Sequence, residues 1–227
     1  SITLAVSRGA TVFSVSHQEI EALGGPVAVA ADMDAELVAR DRQLSSSRRS
    51  LSPASLKTVN SGHRLIFTSL NGAHCTAAAK ASPLVLIGAL TNRDAVANAI
   101  AHLLETNVGS RCTLIACGER WSSVSEEHAD DIRPGIEDLL GAGAIAIQLS
   151  GSFALSEEAN SAVSAFTATQ HRLLESLTHS ISGRELIAKG FAADIELAAA
   201  IDSVSEVAAW QTSDRQRKFV PLAQRSS

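Results

Sequence analysis

Apolar positions along this chain alternate between short runs and stretches of helical period. A capping-box pattern, Ser16-His-Gln-Glu19, opens a helix reaching Leu23, after a short helix over 1–9 that ends at Gly9 and a strand over 11–15. The apolar run 27–31 reads as the next strand. Residues 40–62 are rich in Arg and Ser and weakly periodic, which predicts a long loop with one helical turn at 53–56. A loop of that length is usually functional or disordered.

The pattern is regular from there. It predicts a strand over 64–69, a helix over 71–80, a buried strand over 83–90 and a helix over 92–105 with Val96, Ile100 and Leu103 on one face. A strand over 112–117 and a helix over 134–149 follow. Ser156 caps a long amphipathic helix on which Leu155, Ala159, Val163, Phe166, Leu173 and Leu177 recur at helical spacing. Helices over 183–189 and 191–201 and closing strands over 207–210 and 219–222 complete the chain, with no internal repeat. Strands alternating with helices predict an α/β fold with a largely parallel sheet and right-handed crossovers.

Composition narrows this picture. The chain has 227 residues, room for one large domain or two small lobes, and 45% hydrophobic residues with no tyrosine. The core therefore rests on Ala, Val, Leu and Ile. A net charge of −5 gives no electrostatic footprint for nucleic acid. The basic segment 40–49 lacks aromatics and reads as a solvated loop. Cys75, Cys112 and Cys117 are odd in number and lack Cys-x-x-Cys spacing, which argues against a disulfide framework or a zinc site. They read as buried thiols of a cytoplasmic protein. No apolar run is long enough to span a membrane, and the start at Ser1 shows neither a signal peptide nor an initiator methionine.

Candidate chemistry gathers where strands are expected to end, because ligands of parallel sheets bind beyond the carboxyl ends of the strands. Asn71-Gly72 offers backbone N–H groups to a phosphate or, equally, forms a capped tight turn. Asn92 reads first as a helix cap and second as a ligand contact. In Cys117-Gly-Glu-Arg-Trp121 the arginine follows the thiol by three residues, too close for a cysteine phosphatase loop. Cys117 is then a buried strand residue, Glu119 a metal ligand or base and Arg120 an anion clamp, unless the last two form a surface ion pair.

Glu137 and Asp138 fall in the first turn of a helix that Pro134 opens. They either answer the helix dipole or contribute to a Mg²⁺ site, since Mg²⁺ accepts few carboxylates and keeps several waters. Neighbours on a helix point apart, so one of the two would face a metal and the other would bind through water. Gly141 and Gly143 in the same helix cost stability, which predicts close packing or ligand access. Ser182-Gly-Arg-Glu185 is again a capping-box pattern, with Arg184 in a first turn where a cation opposes the dipole unless it serves an anion. Asp32-Met-Asp34 departs from the aspartyl-phosphate pattern Asp-x-Asp-x-Thr, having Glu36 at its last position.

Taken in order, these segments resemble the 2-phosphosulfolactate phosphatase family. The likeness runs through Ser69-Leu-Asn-Gly72, Ile87-Gly-Ala-Leu-Thr-Asn-Arg-Asp-Ala-Val-Ala97, Cys117-Gly-Glu-Arg-Trp121, Glu137-Asp-Leu-Leu-Gly-Ala-Gly-Ala144, Ser182-Gly-Arg-Glu-Leu-Ile-Ala-Lys-Gly-Phe191 and Asp194. Leu51-Ser-Pro-Ala-Ser-Leu56 is similar to the form in bacterial relatives. The resemblance implies Mg²⁺-dependent hydrolysis of the phosphate ester of a small anionic acid, giving sulfolactate on the route to coenzyme M. It also implies a three-layer α/β/α fold in two lobes with the site between them, and a homodimer. The lobes are expected at 1–105 and 106–227. Carried over by position, Asn71, Gly72, Asn92, Ser182, Gly183 and Arg184 would bind substrate. Glu119, Arg120, Glu137 and Asp138 would be catalytic, with Glu137 and Asp138 on the metal.

The chain departs from the family in three places. It starts where members carry an apolar strand ending in an Asp-containing turn. Ala31-Asp-Met-Asp34 stands where members have Gly-Glu-Arg, and Ala73 where the archetypal members have Thr. These departures keep a second expectation alive, a non-catalytic homologue that binds an anionic metabolite or serves as an assembly partner.

Overall fold

The computed structural model describes residues 1–39, 49–68, 70–120, 131–211 and 218–222. Contacts divide the chain into two compact units, Ser1–Ile87 with Glu206–Ser227, and Gly88–Ser205. The division falls at 87/88 and 205/206 rather than near residue 105, because the C-terminal segment returns to the first unit.

The first unit is built on a six-stranded sheet in the order β2-β3-β1-β8-β7-β4. Its strands are β1 (Thr11–Ser14), β2 (Glu36–Leu37), β3 (Arg64–Phe67), β4 (Leu84–Ile87), β7 (Ala208–Gln211) and β8 (Lys218–Pro221). Strands β2, β3 and β1 pair in parallel, whereas β8 is antiparallel to β1, β7 to β8, and β4 to β7. The sheet is therefore mixed and mostly antiparallel, against the largely parallel expectation. The reason is that β7 and β8, consecutive and antiparallel, insert between β1 and β4 instead of extending an edge.

Residues Val12↔Leu65 and Phe13↔Ile66 lie in register on β1 and β3, so alternate positions of both strands face opposite sides. Val12, Leu65 and Phe67 join Phe219, Trp210, Leu56 and the Ala5 and Val6 of α1 (Ile2–Ser7) in one cluster. Phe13 and Ile66 join Ile20 of α2 (His17–Ala22) and Val29 of α3 (Pro26–Asp32) in another. Each valine, leucine, isoleucine or phenylalanine among them contributes roughly 1.5–3 kcal/mol when fully buried.

Several local expectations hold. Ser16 and Glu19 form the reciprocal capping box of α2, and Pro53–Leu56 is a helical turn of the 3-10 type. Three do not. The run 27–31 is helix α3, started by Gly25 at φ 96° and Pro26 at its first position. An apolar run of alanine and valine does not betray its period, and alanine prefers the helix. The strand expected at 83–90 is only β4, and its residues are half-buried. Asn71 and Gly72 lie inside the first turn of α4 (Leu70–Ala78), not between a strand and a helix.

The second unit is largely helical: α5 (Arg93–Thr106), α6 (Ile136–Leu149), α7 (Glu157–Thr169), α8 (Leu173–His179), α9 (Ile181–Ala188) and α10 (Ala192–Ala199). Its core gathers Leu90, Leu140, Ala144, Phe166, Leu173, Leu177 and Ile195. The long helix expected after Ser156 is broken by a 3-10 turn at Gln170–Arg172, although Ser156 does accept the Ala159 N–H as its cap. No strand forms at 112–117. A strand needs a ladder partner, and among the described residues one is present only for β5 (Glu119–Arg120), which pairs with β6 (Ile132–Arg133) in an antiparallel ribbon. Cys112 is exposed and Cys75 and Cys117 are half-buried, so the thiols are not the core residues expected. Among the described residues no helix is long and apolar enough to cross a membrane.

Gly143 explains one of the two glycines in α6. A methyl group there would lie 2.1 Å from the carbonyl oxygen of Ala162, so its absence lets the backbone of α7 approach. The same addition at Gly141 meets nothing nearer than the Leu90 nitrogen at 3.9 Å.

Candidate active site

Helix α6 begins with Gly135 as its cap at φ −94°, ψ 121°, so Pro134 stands just before the cap rather than inside the helix. Gly135 has no side chain to satisfy the first N–H groups. The carboxylates of Glu137 and Asp138 turn back over it instead. A methyl group placed on Gly135 would lie 3.0 Å from Asp138 Oδ2 and 3.4 Å from Glu137 Oε1. The two acids, expected to diverge, thus reach the same point at the helix start.

Asp138 Oδ2 accepts a hydrogen bond from the Gly118 N–H at 2.8 Å. Gly118 sits at φ +70°, and a side chain there would meet the carbonyl oxygen of Arg133 at 2.7 Å. Only glycine fits both demands. Burial pushes the Asp138 carboxyl up from 3.8 to about 6, helped by the charge of Glu137 and, more weakly, of Glu119, and opposed by the Gly118 hydrogen bond. Glu137 Oε2 is buried with no hydrogen-bond partner among the described residues.

An orphaned buried carboxylate oxygen beside a second carboxylate held partly protonated is a site short of positive charge. A divalent cation fits that deficit. Among the described residues no group of three or more His, Cys, Asp or Glu converges on one point. Two carboxylates and remaining waters suit Mg²⁺ better than zinc, which takes three or four protein ligands.

Glu119 lies on β5, not on a strand exit, and is exposed. Arg120 is its neighbour on the same strand. Cys117 directs its thiol to the Ile115 carbonyl at 3.8 Å, a local contact. Asn92 is fully buried and occupies the cap position of α5, but its Oδ1 accepts the Ala89 N–H at 2.9 Å instead of capping. The start of α5 is served from a distance: Asp202 accepts the Asp94 N–H at 2.9 Å and pairs with Arg93 at 2.7 Å.

At α9 the cap is Ser180, not Ser182. Ser180 Oγ accepts the Gly183 N–H at 2.9 Å, which places the expected capping box two residues too late. A methyl group on Gly183 would lie 2.0 Å from the Leu177 carbonyl, so this glycine serves the contact with α8. Arg184 is exposed, and no described residue pairs with its guanidinium. Asp194, in the first turn of α10, is 4% exposed. Asn71 and Gly72 lie in the first unit, and Thr76 donates to the Gly72 carbonyl at 2.7 Å.

Arg133 escaped the sequence reading. It is 5% exposed, and its guanidinium lies 3.4 Å from both Ser182 Oγ and Glu185 Oε1. The one signal available was a charged residue immediately before Pro-Gly at a helix start, which reads equally as a solvated turn.

The order of these motifs along the chain is that of a known family. The family model of 2-phosphosulpholactate phosphatase matches residues 46–213. The chain belongs to the 2-phosphosulpholactate phosphatase family. No curated protein matches the chain. The family match spans both units and every candidate residue named above. Membership in a phosphatase family makes the carboxylate pair at α6 the natural place to look for chemistry.

Proposed function

We propose that the protein is a Mg²⁺-dependent phosphatase acting on the phosphate ester of a small anionic acid, 2-phosphosulfolactate or a close analogue. The observation that carries this reading is the start of α6, where Glu137 Oε2 is buried without a partner among the described residues, beside a strongly perturbed Asp138, in a chain of this family.

Glu137 and Asp138 would hold the metal. When bound, Mg²⁺ would supply a Lewis acid for phosphoryl oxygens and lower the pKa of a water. The Gly118 N–H fixes the rotamer of Asp138 and favours its charged form. Glu119 adds negative charge that sharpens the demand for a cation and could accept a proton from water. Arg184, exposed and unpaired among the described residues, is the readier of the α9 groups to take an anionic substrate group, with Ser182 beside it. Arg120 is kept as a second anion clamp, and Asn71, Gly72 and Asn92 as substrate contacts. The two lobes and homodimeric state of the proposed enzyme are carried from the family resemblance, and its cytoplasmic location from the reading of the three cysteines as reduced thiols.

The test is turnover of a panel of small phosphate esters, including 2-phosphosulfolactate, with Mg²⁺ and with chelator. Release of phosphate that needs the metal supports the reading. Stabilisation by phosphate or sulfonate without turnover in either condition would replace it with the non-catalytic, anion-binding homologue.

A further inference from the structure

We infer that Arg133 is a positioning residue, which holds the Gly118 N–H against Asp138 by tying the β5–β6 ribbon to α9. This rests on the phosphatase reading of the same site.

Arg133 acts in two directions. Its side chain reaches α9, where the guanidinium faces Ser182 Oγ and Glu185 Oε1, each at 3.4 Å. Its main chain reaches β5: it is in register with Glu119, and its carbonyl oxygen lies 2.7 Å from the position a Gly118 side chain would take. Gly118 in turn donates to Asp138 Oδ2 at 2.8 Å. One residue therefore connects α9, the ribbon and the carboxylate pair, three segments read separately along the chain.

The physical need is clear from the ribbon itself. Two strands of two residues each have too little ladder to fix their own position. Gly118, at positive φ, adds no side chain to anchor it. A buried guanidinium does so, because it stays charged and its planar fork can serve a hydroxyl and a carboxylate together. A lysine has three donors but no planar fork, and on its flexible stem it would fix the two partners less rigidly. Burial at 5% exposure, with Glu185 as counter-charge, also sets Arg133 apart from the exposed Arg184 of the same site. The two arginines differ in surroundings: Arg184 is exposed, whereas Arg133 is buried against Ser182 and Glu185.

The experiment uses the full chain and the variants Arg133→Met, Arg133→Lys and Ser182→Ala. It measures kcat and KM on an aryl phosphate with Mg²⁺, and amide hydrogen exchange at Gly118. Arg133→Met should lower kcat about 10–100-fold, the usual cost of losing a group that orients a metal ligand, with a smaller change in KM. Exchange at Gly118 should accelerate in parallel. Arg133→Lys should fall between Met and the parent in both readouts, and Ser182→Ala should accelerate Gly118 exchange to a lesser degree. The inference is overturned if kcat falls only with the folded fraction, if Gly118 exchanges as in the parent, or if lysine is no better than methionine. Should Arg133→Met fail to fold, Ser182→Ala decides, and unchanged exchange at Gly118 overturns the role. A parent without turnover on any ester would defeat the phosphatase reading alone. The exchange measurement would still decide for or against Arg133.

Discussion

Helices α6 and α9 both begin near residues that read as ligand chemistry, Glu137 and Asp138 in one, Ser182 to Arg184 in the other. At α9 the fold answers all but the exposed Arg184. Ser180 caps the helix, Gly183 seats it on α8, and Arg133 takes up Ser182 and Glu185. At α6 it does not. Gly135 offers no cap, the two acids crowd one point, and one buried oxygen has no described partner. The two helix starts thus differ in how much charge the described residues leave unanswered, and in the proposed enzyme the start of α6 is the metal-binding end. The difference teaches that a capping pattern becomes a candidate site only where folding leaves its charge unanswered.

The largest way to break this comparison is Glu137→Gln. If the start of α6 binds the metal, phosphatase activity should drop by at least about 100-fold, as several kcal/mol of transition-state stabilisation are lost. The unfolding midpoint should move by no more than a few degrees, because Glu137 Oε2 has no hydrogen-bond partner among the described residues. Equal loss of activity and stability would return Glu137 to a structural role.

Gly183→Ala probes the other side. The added methyl meets a carbonyl at 2.0 Å, so α8 and α9 must separate at a cost of about 1–3 kcal/mol, read by chemical denaturation. A silent substitution would mean that α9 is not seated on α8 as described.

The pH dependence of the metal-free protein sharpens the contrast further. Asp138 titrates near 6 in the fold against 3.8 when exposed to water, so the folded state holds its proton more tightly. Its stabilising contribution is complete below about pH 4 and is lost as pH rises through about 6, with a ceiling of about 3 kcal/mol that partial exposure reduces. Asp138→Asn should flatten this slope in chelator and raise the unfolding midpoint at pH 7, while abolishing metal-dependent turnover. A slope unchanged by the substitution would show that other groups produce it.

The smallest effect expected is at Gly141. Alanine has room there, so Gly141→Ala should stabilise the protein by about 0.5–1 kcal/mol through helix propensity alone. A loss of stability would mean that both glycines of α6, and not Gly143 alone, are required by packing.

Much of the local structure was legible in the chain. The capping box at Ser16, the apolar period of 92–105, Pro134 and the cap Ser156 announced α2, α5, α6 and the start of α7, because these signals depend on residues close in sequence. Legibility failed where a distant partner decides. The run 27–31 reads as strand or helix until its neighbours are known, and 112–117 has strand composition without a pairing partner among the described residues. Asn92 lost its expected cap to Asp202, a residue far along the chain. The parallel sheet expected from alternating elements became mixed once β7 and β8 entered its middle.

The site shows the same division. Its acids, its Gly118-Glu119 pair and its family order were on the page as sequence, since residue types and their succession are one-dimensional. That Glu137 and Asp138 close on one point, that Gly118 donates to Asp138, and that Arg133 spans to Ser182 and Glu185 came only from the tertiary structure. The contacts of Gly118 and Arg133 join segments 20 to 52 residues apart, and burial there sets which charges the described residues answer. Sequence by itself thus determined the inventory of chemical groups and the helices that carry them. The fold decided which groups are frame and which are exposed to chemistry, because only packing removes water and fixes distances.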